Sequence, residues 1–255
     1  MPGEGLLIGW SDFVITTGED KRAAVCDHYA DKAFVVLWEL KNHSPMSVTI
    51  IIIAITCIVS FICFNDWKLR NQLIFNAAAV KERGEYYRFI SHGFVHNSWM
   101  HLGINMYVLY VFGQYAEYTF QVMFGKVFGA PVLLLFYLTI IVVASVSDYY
   151  RHQDNYAYSA AGASGGVEGL MWPLILLQPW TWFIFPPLPA IILGPAYILY
   201  SVYKDRTAND NIGHNAHLWG AVFGLVAYVA LAFIFAPELL EHFFVAVAQP
   251  QGPNF

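Results

Sequence analysis

The sequence predicts an all-α polytopic membrane protein built from six transmembrane helices. The composition comes first: 58% of the 255 residues are hydrophobic and 12% are charged, and the mean hydropathy is +0.49, outside the range of ordinary soluble domains. Several uncharged runs then reach the length of about twenty residues that a ~30 Å hydrocarbon core requires of a helix. The prolines, aromatic residues and charges between those runs fit turns at a membrane surface. A net charge of −5 without any Lys/Arg run sets nucleic acid aside as a partner. Cys26, Cys57 and Cys63 are an odd set without CxxC spacing and read as packing residues, so neither a disulfide framework nor a metal site is expected, and no cofactor.

Taken in order, the first span is expected at 47–64, an uncharged Ile-rich run between His43 and Asp66. It starts too far along the chain for a signal peptide and no A-x-A-like site follows it, so it is expected to be retained. The connection from 65 to 99 carries LIFNAAAVKERGEYYRFISHGF, a mixed apolar and charged pattern that suits interfacial helices. The second span is expected at 100–116 and the third at 127–147, between Lys126 and Asp148. From 155 to 203 the one formal charge is Glu168, and this run is too long for a single helix. It must fold back at QPWTWFIFPPLP (178–189), giving spans at 162–177 and 187–203. The sixth span is expected at 212–235. This makes residues 1–46 an N-terminal segment, 47–236 the membrane domain and 237–255 a C-terminal tail. Charge alone does not orient it: five Lys/Arg fall on the N-terminal side and eight on the other, most of the eight in the first loop.

In a six-span chain the second, fourth and sixth spans begin on the same membrane face. Polar groups inside spans are costly and mark functional candidates, and here they cluster at those three starts: His101 and Asn105, Ser164 and Glu168, His214 and His217. His101 and Asn105 are four apart on one helical face, and both can donate hydrogen bonds to a developing oxyanion or serve as interhelical glue. Gly162, Gly166 and Gly169 form one small-residue stripe, and Gly213, Gly220 and Gly224 share a face with His217. Close approach of the two faces would bring the imidazole of His217 to Ser164 as general base to nucleophile. The Ser164 N–H, His101 and Asn105 would then serve as oxyanion donors. That constellation is a protease's.

The residues that carry it also resemble a known family, the rhomboid intramembrane serine proteases. The matching stretches are HGFVHNSWMHLGIN (92–105) with His96, His101 and Asn105, GASG (162–165) with Gly162, Ser164 and Gly165, and AHLWGAVFG (216–224) with His217, Gly220 and Gly224. Tyr87-Arg88 looks like the family's Trp-Arg pair with Tyr in place of Trp. The resemblance covers about residues 47–236. It implies a six-helix rhomboid-like bundle with a cytosolic N-terminus and a Ser-His dyad opening to the outer side. It also implies lipid-embedded substrates, themselves transmembrane segments of other proteins, cut near small residues, and a bacterial inner membrane as the location. The departure is Glu168: the family usually has an uncharged residue, often an aromatic, four positions after the nucleophile. As a modulator, Glu168 is expected to lie beside His217. Span five and the loop 204–211 are the expected movable cover.

Three rivals compete. GASGG also fits the G-x-S-x-G nucleophile elbow, which needs a preceding strand and a soluble sheet. A metal or proton carrier would use His92, His96, His101, His214 and His217, but the sequence offers no carboxylate to complete a ligand set and no HExxH. A pseudoprotease that binds transmembrane helices without cutting them would have no use for both Ser164 and His217.

Overall fold

The computed structural model describes residues 47–183, 186–207 and 213–252. The N-terminal segment 1–46, with Cys26, residues 208–211 of the expected cover and Ile212 lie outside that description. Helix α1, Val48–Asn65, begins where Ser47 caps the N–H of Ile50 and stops at Asp66, whose carboxylate caps the next helix through Leu69. Its exposed face is Ile50, Ile55, Ile58 and Ile62, whereas Thr49, Thr56 and Ser60 point inward. A buried carboxylate fixes its start: Glu117 accepts from the Val48 N–H at 2.8 Å and from Ser47 Oγ at 2.5 Å, the sign of charge that a helix N-terminus favours.

The first loop folds as the short helices α2 (Trp67–Leu73), α3 (Ala77–Arg83) and α4 (Arg88–Ser91), followed by a 3₁₀ turn, His92–Phe94. Arg88 is buried at its centre, donating to the carbonyls of Asn71 and Ile74 and to Glu85. The next element, α5, runs over Trp99–His152 and contains the second and third spans. At Gly125 the backbone takes φ 75° and ψ 165°, a conformation that glycine tolerates, and the helix reverses there into two arms, 99–124 and 126–152.

The fourth span departs from the single helix expected at 162–177. It is two short helices, α6 (Ser164–Gly169) and α7 (Trp172–Leu177), with the break at Leu170 and Met171. At 1.5 Å per residue Ser164–Leu177 spans about 21 Å, short of the ~30 Å core. Helices α8 (Ala190–Thr207) and α9 (His214–Phe235) supply the last two spans. Among the described residues six segments match the expected spans, α1, the two arms of α5, the broken α6–α7, α8 and α9, and the helices α1, α5 and α9 are long and apolar enough to cross a membrane. The region read as a plain tail contains α10, Glu238–Val247, docked where His242 meets the Leu177 carbonyl at 2.9 Å and Trp180 donates to the Ala246 carbonyl at 3.0 Å. The described residues contain isolated bridges, Phe75 with Ala160 and Trp182 with Pro189, and no strand.

The core lies where α9 crosses α5 and α6. Its inner half is filled by Phe120, Phe136 and Tyr228. The α6–α9 contact is backbone against backbone. A Cβ on Gly220 would stand 2.1 Å from the Gly165 carbonyl oxygen, and one on Gly224 would stand 2.4 Å from that of Gly169. This corrects the expected stripe on the fourth span: the face toward α9 is Gly165 and Gly169, four apart. Gly166, one residue round the helix, packs against Ile141 and Tyr137 of α5 instead.

Candidate active site

Ser164 opens α6, and the chain leading to it is fixed from several sides. Phe75 and Ala160 exchange two backbone hydrogen bonds at 2.9 and 3.0 Å, and the Gly162 N–H donates to the His92 carbonyl at 3.0 Å. Gly162 has φ 137°, and a Cβ there would lie 2.7 Å from the His101 ring, so both conformation and space call for glycine. The Ala163 N–H reaches His96 Nε2 at 3.4 Å. His217, in the first turn of α9, faces Ser164 across the glycine contact, and Ser164 Oγ lies 2.7 Å from His217 Nε2.

The far side of the imidazole is also occupied. His217 Nδ1 lies 2.9 Å from Tyr197 Oη on α8 and 3.3 Å from Glu168 Oε1 on α6. Tyr197 Oη donates to the same Glu168 oxygen. The two rings lie 24° from parallel with centroids 6.5 Å apart. Glu168 is thus beside His217, and the Tyr197 hydroxyl contacts both.

Ser164, His217, His101, Asn105 and Glu168 line one cavity of about 880 Å³. His101 and Asn105 share a face of α5, and the Asn105 amide donates to the His101 carbonyl at 2.9 Å. His101 packs edge-on against His96, with centroids 4.9 Å apart. A serine hydroxyl hydrogen-bonded to an imidazole and two further side chains able to donate thus border one space, an arrangement suited to acyl transfer.

A family model described as Rhomboid domain matches residues 83–234 of this chain. The chain belongs to the rhomboid family. Two curated relatives come from Arabidopsis thaliana. "RHOMBOID-like protein 12, mitochondrial" is 28% identical over 190 residues, covering 66% of this chain and 53% of the relative. "Rhomboid-like protein 11, chloroplastic" is 31% identical over 158 residues, covering 55% and 51%. The chain spans about half the length of each.

In this rhomboid the remaining motif residues stand behind the cavity and support it. His96 is fully buried, its Nδ1 2.9 Å from Ser60 Oγ, and Ser60 in turn donates to the Phe94 carbonyl. Burial pushes His96 down to about 3 and His92 to about 4, so both are neutral at physiological pH. His92 pairs with Ser145 of α5 at 2.7 Å. Arg88 lies in the first loop, away from Ser164, and its role in the geometry is to hold that loop together. His214, the other histidine at the start of α9, packs edge-on to His217 with centroids 6.0 Å apart.

Sequence reasoning missed three contributors. Tyr197 is one; its signal was a tyrosine in mid-span rather than in an interfacial belt. Asp148 is another, buried and accepting from Tyr158 at 2.7 Å and from Asn215 at 2.6 Å, so that it ties the loop before Ser164 to the start of α9. Ser60, the partner of His96, carried no signal beyond being a serine inside an apolar helix.

Proposed function

We propose that this rhomboid is an intramembrane serine endopeptidase that cleaves transmembrane segments of other membrane proteins. The observation that carries the reading is the 2.7 Å approach of Ser164 Oγ to His217 Nε2 at the wall of a cavity enclosed by the helical bundle. His217 takes the Ser164 proton as Oγ attacks the substrate carbonyl. The oxyanion that develops is met by the Ser164 N–H and by the His101 and Asn105 side chains, turning toward a substrate that is bound. His217 returns the proton to the leaving amine, and water admitted through the cavity hydrolyses the acyl-enzyme. The scheme uses no cofactor or metal.

The substrates in this reading are lipid-embedded helices with small residues near the cut, since only a locally unwound, slender segment can lay its backbone beside a serine set among glycines. The relatives' names are those of mitochondrial and chloroplastic proteins. They lend no support to the bacterial inner membrane expected from the sequence. The assignment therefore stops at an integral, multi-pass membrane protein.

The test is covalent labelling by a fluorophosphonate probe beside cleavage of a model transmembrane substrate. Wild type should label and cleave, and Ser164→Ala and His217→Ala should each lose both activities almost entirely, because coupled residues fail as a unit. Equal labelling of all three proteins would overturn the assignment and return the chain to a helix-binding role.

A further inference from the structure

We propose that Tyr197 and Glu168 form a positioning arm behind His217, which holds the imidazole proton on Nδ1 and so keeps Nε2 bare toward Ser164. The inference rests on the proteolytic reading for its consequence but not for its geometry. Tyr197 has one O–H, and it is directed at the Glu168 carboxylate. Its lone pairs are what remain for the imidazole, so at 2.9 Å the bond to Nδ1 requires the proton to sit on that nitrogen. Neutral imidazole has a single N–H, and Nε2 is then an acceptor, which at 2.7 Å receives the Ser164 hydroxyl proton. Every bond in the row Ser164, His217, Tyr197, Glu168 thus donates in the same direction, toward the carboxylate.

Charge is what fixes that direction. A protonated Glu168, or an amide in its place, can donate to Tyr197 and reverse the whole row, putting the imidazole proton on Nε2 where it blocks the base. The carboxylate also steadies the imidazolium that forms when Ser164 gives up its proton, the part an aspartate plays in soluble triads. The arm is assembled from two helices. Glu168 shares α6 with the nucleophile, while Tyr197 rides on α8, two residues after Pro195. The other ionisable groups facing the imidazole are His214 on its own helix and His101 on α5.

The experiment compares wild type with Glu168→Gln, Tyr197→Phe and the double variant. It reads kcat and KM on a model transmembrane substrate, the fluorophosphonate labelling rate, and the imidazole ¹⁵N resonances of His217, assigned by difference from His217→Asn. Wild type should show the Nδ1–H tautomer. Glu168→Gln should lower kcat roughly 10–100-fold with KM nearly unchanged, well short of the ~10⁴ lost when a soluble triad's acid is neutralised. Tyr197→Phe should lose less, because Glu168 Oε1 already stands 3.3 Å from Nδ1 and can take the proton directly. The double variant should be no worse than Glu168→Gln, the signature of one shared arm. Glu168→Gln should move the resonances toward mixed tautomers, whereas Tyr197→Phe, with the carboxylate left to accept from Nδ1–H, should keep the Nδ1–H form. Wild-type kcat with unmoved resonances in Glu168→Gln, or a wild type with its proton on Nε2, would overturn the arm. A wild type that neither labels nor cleaves would sink the proteolytic reading, and the resonances would still decide the arm.

Discussion

Helix α9 meets two neighbours, and it meets them in opposite ways. Toward α6 it presents Gly220 and Gly224, and the helices touch through their backbones with no room for a methyl group. Toward α8 the contact is made by long side chains, Tyr197 against His217 and Tyr200 against His214. Helix α8 buries Ala190, Gly194 and Ser201 among its eighteen residues, and Ile192, Leu199, Tyr200 and Tyr203 are exposed. The contrast separates two duties. In the proposed function, the reacting pair Ser164 and His217 sits on a contact that tolerates little displacement, while α8, the expected cover, is held by side chains that can swing.

The largest effect should come from forcing the first contact. Gly220→Ala sets a methyl against a carbonyl that cannot give way, so it should cost roughly 2–3 kcal/mol and abolish fluorophosphonate labelling. A Cβ at Gly194 on α8 would meet side chains rather than backbone, the end of Ile175 at 2.6 Å and the rim of the Trp172 ring at 3.3 Å. Gly194→Ala should shift the thermal midpoint slightly and label normally; similar losses in the two variants would erase the contrast. A smaller, reversible effect should follow from tethering α8. With the native cysteines replaced, a disulfide between α8 and the first arm of α5 should suppress cleavage of a transmembrane substrate yet leave probe labelling intact, and reduction should restore cleavage. Full cleavage in the oxidised state would mean that substrates enter elsewhere.

The smallest effect concerns what stands behind the rigid contact. His92 and His96 titrate near 6.5 when unfolded but are lowered to about 4 and about 3 in the folded loop. Below pH 6.5 the unfolded chain binds more protons, so stability is full above that value and falls as the pH drops, by up to about 1.4 kcal/mol per pH unit for each histidine. Thermal midpoints at pH 7 and 5 should therefore differ more for wild type than for His96→Gln. An equal difference would show that His96 does not contribute.

The spans were legible because membrane insertion is written in length and charge, and Val48–Asn65 and His214–Phe235 fall within two residues of where those rules put them. The pairing of Ser164 with His217 was legible for a related reason: even-numbered spans start on one face, which sets the depth of both residues. The break at Leu170 and Met171 was not legible, since both residues suit an unbroken apolar helix as well as a turn. Nor was α10, where Glu238 and Glu241 give a membrane-edge helix the look of a soluble tail. Tyr197 escaped because its importance depends on the rotation of α8 about its own axis. Apolar patterning fixes that rotation poorly for a helix that lipid surrounds on most sides.

The glycine contact also orders events in time. Helix α6 is six residues long and finds its closest partner on α9, and the base it needs lies 53 residues further along the chain. During synthesis Ser164 enters the membrane alone, on a helix too short to persist unsupported. It gains its hydrogen bond to His217 only after the sixth span has been made and threaded alongside. Under the proposed activity, a nascent chain surrounded by other newly inserted helices is thereby unable to cut them, and competence arrives with the last helix of the bundle.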